Sequence, residues 1–400
     1  MYKDRPKQVL VAGGGYAGIQ AALVLEHHLL KDSDSKILLI DKKGYHTLLP
    51  SLPEIISKRG FSIIDYKDIV RDKKIDFIQA TISNIDLNSK TVFITEGEGK
   101  SSELRYDFLV ISLGSQPFLP NIAGLREYAF LFNTIQDAEK IAQRISDVNL
   151  NGNIVIAGGG ATGVELAGEI ASVLNIQQRQ RNFKMSHVNV VLVSPSLLSG
   201  FPDSTVNWVK TYIGSLGVKL FLCPECYVLQ VKRHSIHLKD GREITHTMFI
   251  WTGGVTASPL LKNIGLKTGE KGRVIVNKYL QAVGQEDSVF VLGDSALILD
   301  DKSHPLPTNA YFAEQHGRVA AQNIYAIMKG GETEKKLQQY KPDKPGSTFA
   351  ISIGSDFAVS RVGGLDLYGY SVSKLKKLIK MKYLKDIGGT SLAGKEYYKF

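Results

Sequence analysis

The chain contains the pattern Gly-x-Gly-x-x-Gly twice, about 145 residues apart: Gly13, Gly15 and Gly18, then Gly158, Gly160 and Gly163. Each copy follows a short apolar run, 8–12 (QVLVA) and 153–157 (NIVIA), and opens a helical stretch. That context gives the spacing its physical meaning. The glycines permit a tight turn and let backbone approach a pyrophosphate, whose charge then lies on the amides of a helix N-terminus. Two dinucleotides bound side by side in one chain would suit a flavin enzyme fed by a nicotinamide.

Around the first copy, 8–12 reads as a buried parallel strand, 17–31 as a helix and 36–40 (KILLI) as the next strand, ending at Asp41. Residues 77–85 and 91–95 read as a hairpin or meander, and 108–112 (FLVIS) as a further buried strand closed by Gly114. The plan restarts at 153–157, with a helix over 162–174 and strands at 188–193, 218–222, 227–231, 235–238 and 248–251. After Gly253 and Gly254 the chain is expected to rejoin the first unit, through a strand at 289–292 closed by Gly293 and Asp294, then a helix over 309–328. Two or three short strands and a lysine-rich helix complete it. The domains so defined are 1–115 with 255–330, an inserted 116–254, and a C-terminal module 331–400.

Composition is that of a soluble globular protein, 43% hydrophobic and 22% charged. No apolar run approaches the ~18 residues of a membrane span. The N-terminus enters the first strand with no room for a signal peptide, so a cytoplasmic chain is expected. The net charge of +10 admits nucleic acid, an anionic membrane or anionic ligands. No nucleic-acid motif accompanies it, and nucleic acid is set aside. The two cysteines, Cys223 and Cys226, exclude a disulfide framework.

Asp41, 23 residues after Gly18, can hold adenosine ribose hydroxyls. Asp294 ends a buried strand, where a carboxylate needs a partner such as a ribityl hydroxyl; a helix N-cap is its other reading. In the second copy Glu165 lies near the helix start, where a carboxylate is stabilised, and close to where a nicotinamide would lie. Glu169, one turn on, reads as structural or solvated. Ser194 stands where NAD-selective sites carry an acid, and no arginine follows to meet a 2′-phosphate, so NADH and NADPH are both open. The same stretches add Tyr16, Ala17, Lys42, Gly114, Thr162, Gly253, Gly254 and Gly293 as candidate cofactor contacts.

Cys223 and Cys226 with His234 and His237 make a C-x2-C-x7-H-x2-H spacing, shorter than usual for zinc. A turn with small buried thiols is the reading here, with no metal. In 372–387, Val372, Leu375, Leu378, Ile379 and Tyr383 share one helical face beside six lysines, with Lys382 intruding on it. Such a helix suits an anionic membrane surface, or packs on its own protein. The fold class is therefore α/β: two Rossmann-like dinucleotide-binding domains, the second inserted in the first, plus a C-terminal membrane-associating module.

The stretches VLVAGGGYAGIQAA (9–22), DKKGYH (41–46), IAGGGATGVELAGEIA (156–171), WTGGV (251–255), VFVLGDSA (289–296) and LPTNAYFAEQHGRVAAQNI (306–324) resemble the type II NADH:quinone dehydrogenases. The resemblance covers essentially the whole chain. It implies a peripheral membrane enzyme on the inner face of the cell membrane, with FAD, passing a hydride from NADH (NADPH not excluded) to the flavin and two electrons to a membrane quinone without pumping protons. Glu165 matches a helix glutamate beside the nicotinamide. Ala313 and Gln315 match a segment under the flavin that forms the quinone pocket, and the backbone of Ile82 an adenine contact. That segment's first glutamine is Tyr311 here, and a lysine before Ile-Gly-Gly is Asp386. A sulfide:quinone oxidoreductase would need flavin-side cysteines, which are lacking; a soluble NAD(P)H-dependent reductase of another acceptor is the other alternative. A homodimer is left open.

Overall fold

The computed structural model describes residues 6–29, 35–59, 63–97, 99–147, 150–180, 188–300, 302–330, 337–342 and 348–397. The last two residues of the helix expected over 17–31, and parts of the module 331–400, lie outside these.

Strand Lys7–Ala12 is an inner strand of a seven-stranded sheet. It pairs in parallel with Ser35–Asp41 on one side and Phe108–Ile111 on the other. Val9 to Ala12 are fully buried, as a parallel strand covered on both faces must be. Strand Val289–Val291 adds in parallel to Phe108–Ile111, so the chain does return to this sheet. On the other flank Ile75–Asp86 pairs with Ser35–Asp41, then leads antiparallel into Thr91–Glu96 and Ser101–Arg105. This last strand (SSELR) is one that no apolar run announces.

A second sheet of five parallel strands runs in the order Phe130–Leu131, Met248–Trp251, Gly152–Ala157, Val188–Ser194, Lys219–Leu222. A three-stranded meander, Val228–Val231, Ser235–Leu238 and Glu243–Thr245, covers one face through Ile236, Leu238 and Phe249. Helices Ala161–Gln180, Ile135–Ile145 and Asp203–Ser215 cover the other. The chain passes between the two sheets through Ser115–Pro117 and Val255–Ala257, which lie side by side as antiparallel strands.

Strands Phe349–Ile353, Phe357–Val362 and Leu365–Gly369 form an antiparallel sheet packed on the second unit, with Phe357 stacked on Tyr212 at 3.8 Å. The final helix, Tyr370–Tyr397, changes course at Gly389 (φ +75°). Its inner side sends Tyr383, Leu384, Ile387 and Leu392 into the core of the first sheet.

This corrects the single apolar face expected over 372–387. Val372 and Tyr383 are buried against the protein, whereas Leu378 and Ile379 are 65% and 50% exposed. The inner stripe instead carries two lysines, which find carboxylates: Lys376 Nζ lies 2.7 Å from Glu165 and Lys380 Nζ 3.3 Å from Glu54. A half-buried ammonium is tolerable only with such a partner. No helix among the described residues is long and apolar enough to cross a membrane.

Candidate functional site

The two glycine loops are built alike, bond for bond. The Gly13 amide donates to the Ile40 carbonyl at 2.8 Å, and the Gly158 amide to that of Val193 at 2.9 Å. The Ser112 hydroxyl donates to the Gly13 carbonyl at 2.8 Å, and Thr252 to that of Gly158 at 3.3 Å. Gly13 (φ +107°) and Gly158 (φ +128°) both need left-handed backbone. Gly114 and Gly254, two residues beyond that serine and threonine, have φ of +68° and +94°. A side chain at Gly18 would stand on the Gly13 carbonyl, and one at Gly163 on the Gly158 carbonyl. Only the middle glycines differ: a Cβ at Gly15 or Gly160 would meet nothing within 4 Å. The open side of each loop is thus the one a phosphate needs. Neither helix has an acidic residue in its first turn to oppose an anion.

The alignment makes Asp41 the counterpart of Ser194. Asp41 Oδ2 accepts from the Gly14 amide and Oδ1 from that of Lys43, both at 2.8 Å. Ser194 ends its strand, is 6% exposed and packs against Gly159. One loop is therefore followed by a carboxylate at this position and the other by a neutral hydroxyl.

Two cavities adjoin the first loop's sheet. One, of about 300 Å³, is lined by Ser115, Thr256, Lys271, Arg273, Asp294 and Thr308. Asp294 sits there in a short turn, Gly293–Ser295, and accepts from the Ser115 hydroxyl at 2.6 Å. It caps no long helix. The other, of about 660 Å³, lies at the end of Ser35–Asp41, between Lys42, Gln79, Ala80 and Thr81. Ile82 follows Thr81 in strand Ile75–Asp86 and pairs with Ile94. The open glycine loop and the carboxylates of Asp41 and Asp294, spread along this sheet edge, are polar groups of the kind a dinucleotide such as FAD requires.

Helix Ala310–Met328 crosses helix Tyr16–Leu29 beside this loop. Ala313 approaches Gly293, as Ala17 does from the other helix, and Gly317 lets the helices touch. Tyr311, 43% exposed, and half-buried Gln315 lie one turn apart on the outer side. His316 accepts from the Gly293 amide at 3.2 Å, and burial lowers its pKa to about 3.

Beneath the first loop is a polar cluster the sequence does not announce. His46 Nδ1 bonds the Gly14 carbonyl at 3.1 Å, and its Nε2 meets the Tyr383 hydroxyl at 2.9 Å. Burial, with nearby Lys43, lowers the His46 pKa to about 4, so the ring is neutral. It then donates from Nδ1 and accepts from Tyr383. The Tyr66 hydroxyl donates to the same carbonyl at 2.6 Å. The C-terminal helix is thereby joined to the loop through two hydrogen bonds.

Glu165 is also held by this module. The helix begins at Ala161, so Glu165 falls beyond the first turn, and it is Lys376 at 2.7 Å and the Ser352 amide at 3.0 Å that hold its carboxylate. Thr162 is exposed at the helix start. Glu169 is structural, with Arg59 at 2.5 Å.

Glu314, between Ala313 and Gln315, faces Arg318 on its own helix at 3.9 Å, Tyr16, and Lys382, Tyr383 and Asp386 of the final helix. Burial, with Asp386 beside it, pushes its carboxyl up to about 7 against Arg318 and Lys382. A carboxyl whose folded pKa is raised stabilises the fold fully below the unfolded value. That contribution is lost as pH rises from about 4.5 through about 7. Ionisation there costs up to about 3 kcal/mol. Glu314→Gln is therefore expected to match the parent's melting temperature near pH 4.5 and to exceed it above pH 7. A constant difference across this range would contradict the assignment.

The reading of small buried thiols is corrected at Cys223, which is half-exposed, whereas Cys226 is buried. Cys223 and Cys226 form a disulfide across a surface turn. His234 and His237 do not join them; His237 faces Glu243 at 3.3 Å. Asp240 is the third potential metal ligand nearby, but the Arg242 guanidinium contacts both sulfurs, an unfavourable neighbour for a cation.

Two sheets, each with a parallel core and a matching glycine loop at the carboxyl edge of its strands, are the frame of a nucleotide-handling protein. Residues 7–317 match the pyridine nucleotide-disulphide oxidoreductase family, and the chain belongs to it. It is 29% identical over 418 residues to the type II NADH:quinone oxidoreductase of Staphylococcus saprophyticus, covering 99% of each chain. Among solved structures it is similar to NDH2 from Plasmodium falciparum in complex with NADH (TM-score 0.82, 17% identity, 99% of this chain and 98% of that one). It is also similar to the sulfide:quinone oxidoreductase of Aquifex aeolicus (TM-score 0.78, 19% identity, 96% and 92%).

Proposed function

We propose that the protein is an NADH:quinone oxidoreductase with a resident FAD. Residues 1–115 and 255–330 would form the FAD domain, 116–254 an inserted NAD(P)H domain, and 331–400 a module that docks on a membrane surface. The observation that carries the reading is the pair of equivalent loops with unequal acids. Asp41 and Asp294 give the first site two carboxylates for ligand hydroxyls, suited to a tightly held dinucleotide. Ser194 gives the second none, suited to a dinucleotide that exchanges. The near full-length likeness to type II enzymes supports the same assignment.

Once bound, FAD would supply the redox chemistry, hydride acceptance and two-electron release. The chain's part is to bind and orient. Gly13, Gly15 and Gly18, with Tyr16 and Ala17, would hold the flavin pyrophosphate on the first helix. Asp41, Lys42 and Ile82 would hold its adenosine end, and Gly114, Gly293, Asp294 and Ala313 the ribityl and ring end. Gly158, Gly160, Thr162, Gly163, Ser194, Gly253 and Gly254 would hold the nicotinamide dinucleotide. Glu165, fixed by Lys376, would place a carboxylate beside the nicotinamide, while Tyr311 and Gln315 line the quinone side. Leu365 (70% exposed), Tyr370, Leu378 and Ile379, set among lysines, form the surface that would meet the cytoplasmic leaflet.

The test is steady-state turnover with a soluble quinone as acceptor and NADH or sulfide as donor. Quinone-dependent loss of NADH is expected. Turnover with sulfide alone would overturn the reading. Because Ser194 is neutral, it lacks the carboxylate that would favour a ribose diol and repel a 2′-phosphate; Ser194→Asp is expected to raise kcat/KM for NADH over NADPH by roughly 10- to 100-fold, the effect of one or two kcal/mol. An unchanged ratio would remove Ser194 from the ribose site.

A further inference from the structure

The Cys223–Cys226 pair belongs to neither the flavin side nor the acceptor side, and its surroundings are chemically asymmetric. The turn follows strand Lys219–Leu222, whose Leu222 pairs in register with Ser194. Pro224 and Glu225 are exposed, Cys223 is half-exposed and Cys226 is buried. Arg242 Nη2 lies 3.3 Å from the Cys223 sulfur and 3.0 Å from that of Cys226. Asp240 Oδ2 has the opposite order, 3.4 Å from Cys223 and 3.9 Å from Cys226. A thiolate on Cys226 is thus nearer the cation and farther from the anion. Arg242 is held in place by Asp240 and by the Phe221 ring, 5.1 Å beneath its guanidinium.

We infer that Cys223–Cys226 is a thiol–disulfide exchange site for low-molecular-weight thiols, with Cys223 the sulfur attacked and Cys226 the sulfur that leaves. A small thiolate attacks the accessible Cys223 sulfur. The bond to Cys226 breaks, and its electron pair stays on Cys226 against Arg242. A mixed disulfide remains on Cys223. A second small thiolate attacks the outer sulfur of that bond, releasing the low-molecular-weight disulfide and leaving Cys223 as thiolate. Two electrons and, after protonation, two protons pass to the protein. A low-molecular-weight disulfide in excess reverses the sequence.

Native, flavin-loaded protein is incubated with millimolar glutathione, quenched over time with iodoacetamide and weighed intact. Two alkyl groups are expected in the folded parent, and Arg242→Gln is expected to slow their appearance roughly tenfold or more through the lost leaving-group stabilisation. With oxidised glutathione, Cys226→Ser is expected to retain one glutathione on Cys223, and Cys223→Ser to take up far less. A pair that stays oxidised until the chain is denatured would show a structural staple and overturn the inference. Parent-like kinetics in Arg242→Gln, or equal glutathione uptake by the two cysteine variants, would overturn the assigned roles.

Discussion

Gly163→Ala is expected to leave a flavin-loaded protein that NADH no longer reduces, whereas Gly18→Ala is expected to lose the flavin itself. The two changes are the same in kind. Each places a methyl on the carbonyl oxygen of its loop's first glycine, Gly158 or Gly13. Backbone cannot yield there cheaply, because each of those glycines is already bonded to the neighbouring strand and to Ser112 or Thr252. The loop must shift as a body. A displacement near 1 Å costs roughly 100-fold where reacting groups must be aligned. For Gly163→Ala the loss is expected in kcat/KM for NADH, at least that large, with an unaltered flavin spectrum. For Gly18→Ala it is expected in flavin content after purification. If Gly163→Ala lost flavin while Gly18→Ala kept it, the two loops would have been assigned in reverse.

Removal of residues 371–400 is expected to yield little folded protein. Val372, Tyr383, Leu384, Ile387 and Leu392 are buried. At roughly 1.5–3 kcal/mol each, their burial is comparable with the whole ~5–15 kcal/mol stability of a typical domain. Truncation would also leave Glu165 and Glu54 without their ammonium partners, and His46 without the Tyr383 hydroxyl beneath the flavin loop. Membrane docking is therefore tested by substitution. Leu378→Ser with Ile379→Ser alters side chains that face outward, and is expected to preserve folding and flavin while markedly weakening co-sedimentation with anionic vesicles. Unchanged sedimentation would remove that face from the membrane surface. A stable, flavin-loaded truncated chain would contradict the structural role of the helix.

The inner parallel strands were legible in the sequence because buried apolar runs and glycine loops are local signals, whereas the short edge strand Phe130–Leu131 was not. The return to the first sheet at 289–291 was legible too, from VFVLGD alone. Helix Ile135–Ile145 carried a signal that passed unread, the Thr134 and Asp137 capping box. The strand Ser101–Arg105 carried none, since its position comes from pairing with Thr91–Glu96. The C-terminal helix shows the limit most clearly. A helical wheel finds an apolar sector but not which part of it docks. That choice is made by Glu54, Glu165 and His46, at least 200 residues away in sequence. Likewise Asp41 and Ser194 were readable as candidates, but their equivalence rests on the Gly13–Ile40 and Gly158–Val193 hydrogen bonds, which only the fold supplies.

The central claim, one resident flavin passing electrons from NADH to a quinone, is tested most directly by separating the two half-reactions. Purified protein is held without oxygen and its flavin absorbance followed as NADH is added, then a soluble quinone. Bleaching by NADH and full recovery on quinone are expected, with no bleaching by sulfide. A flavin that NADH leaves oxidised, or that only sulfide bleaches, would contradict the account.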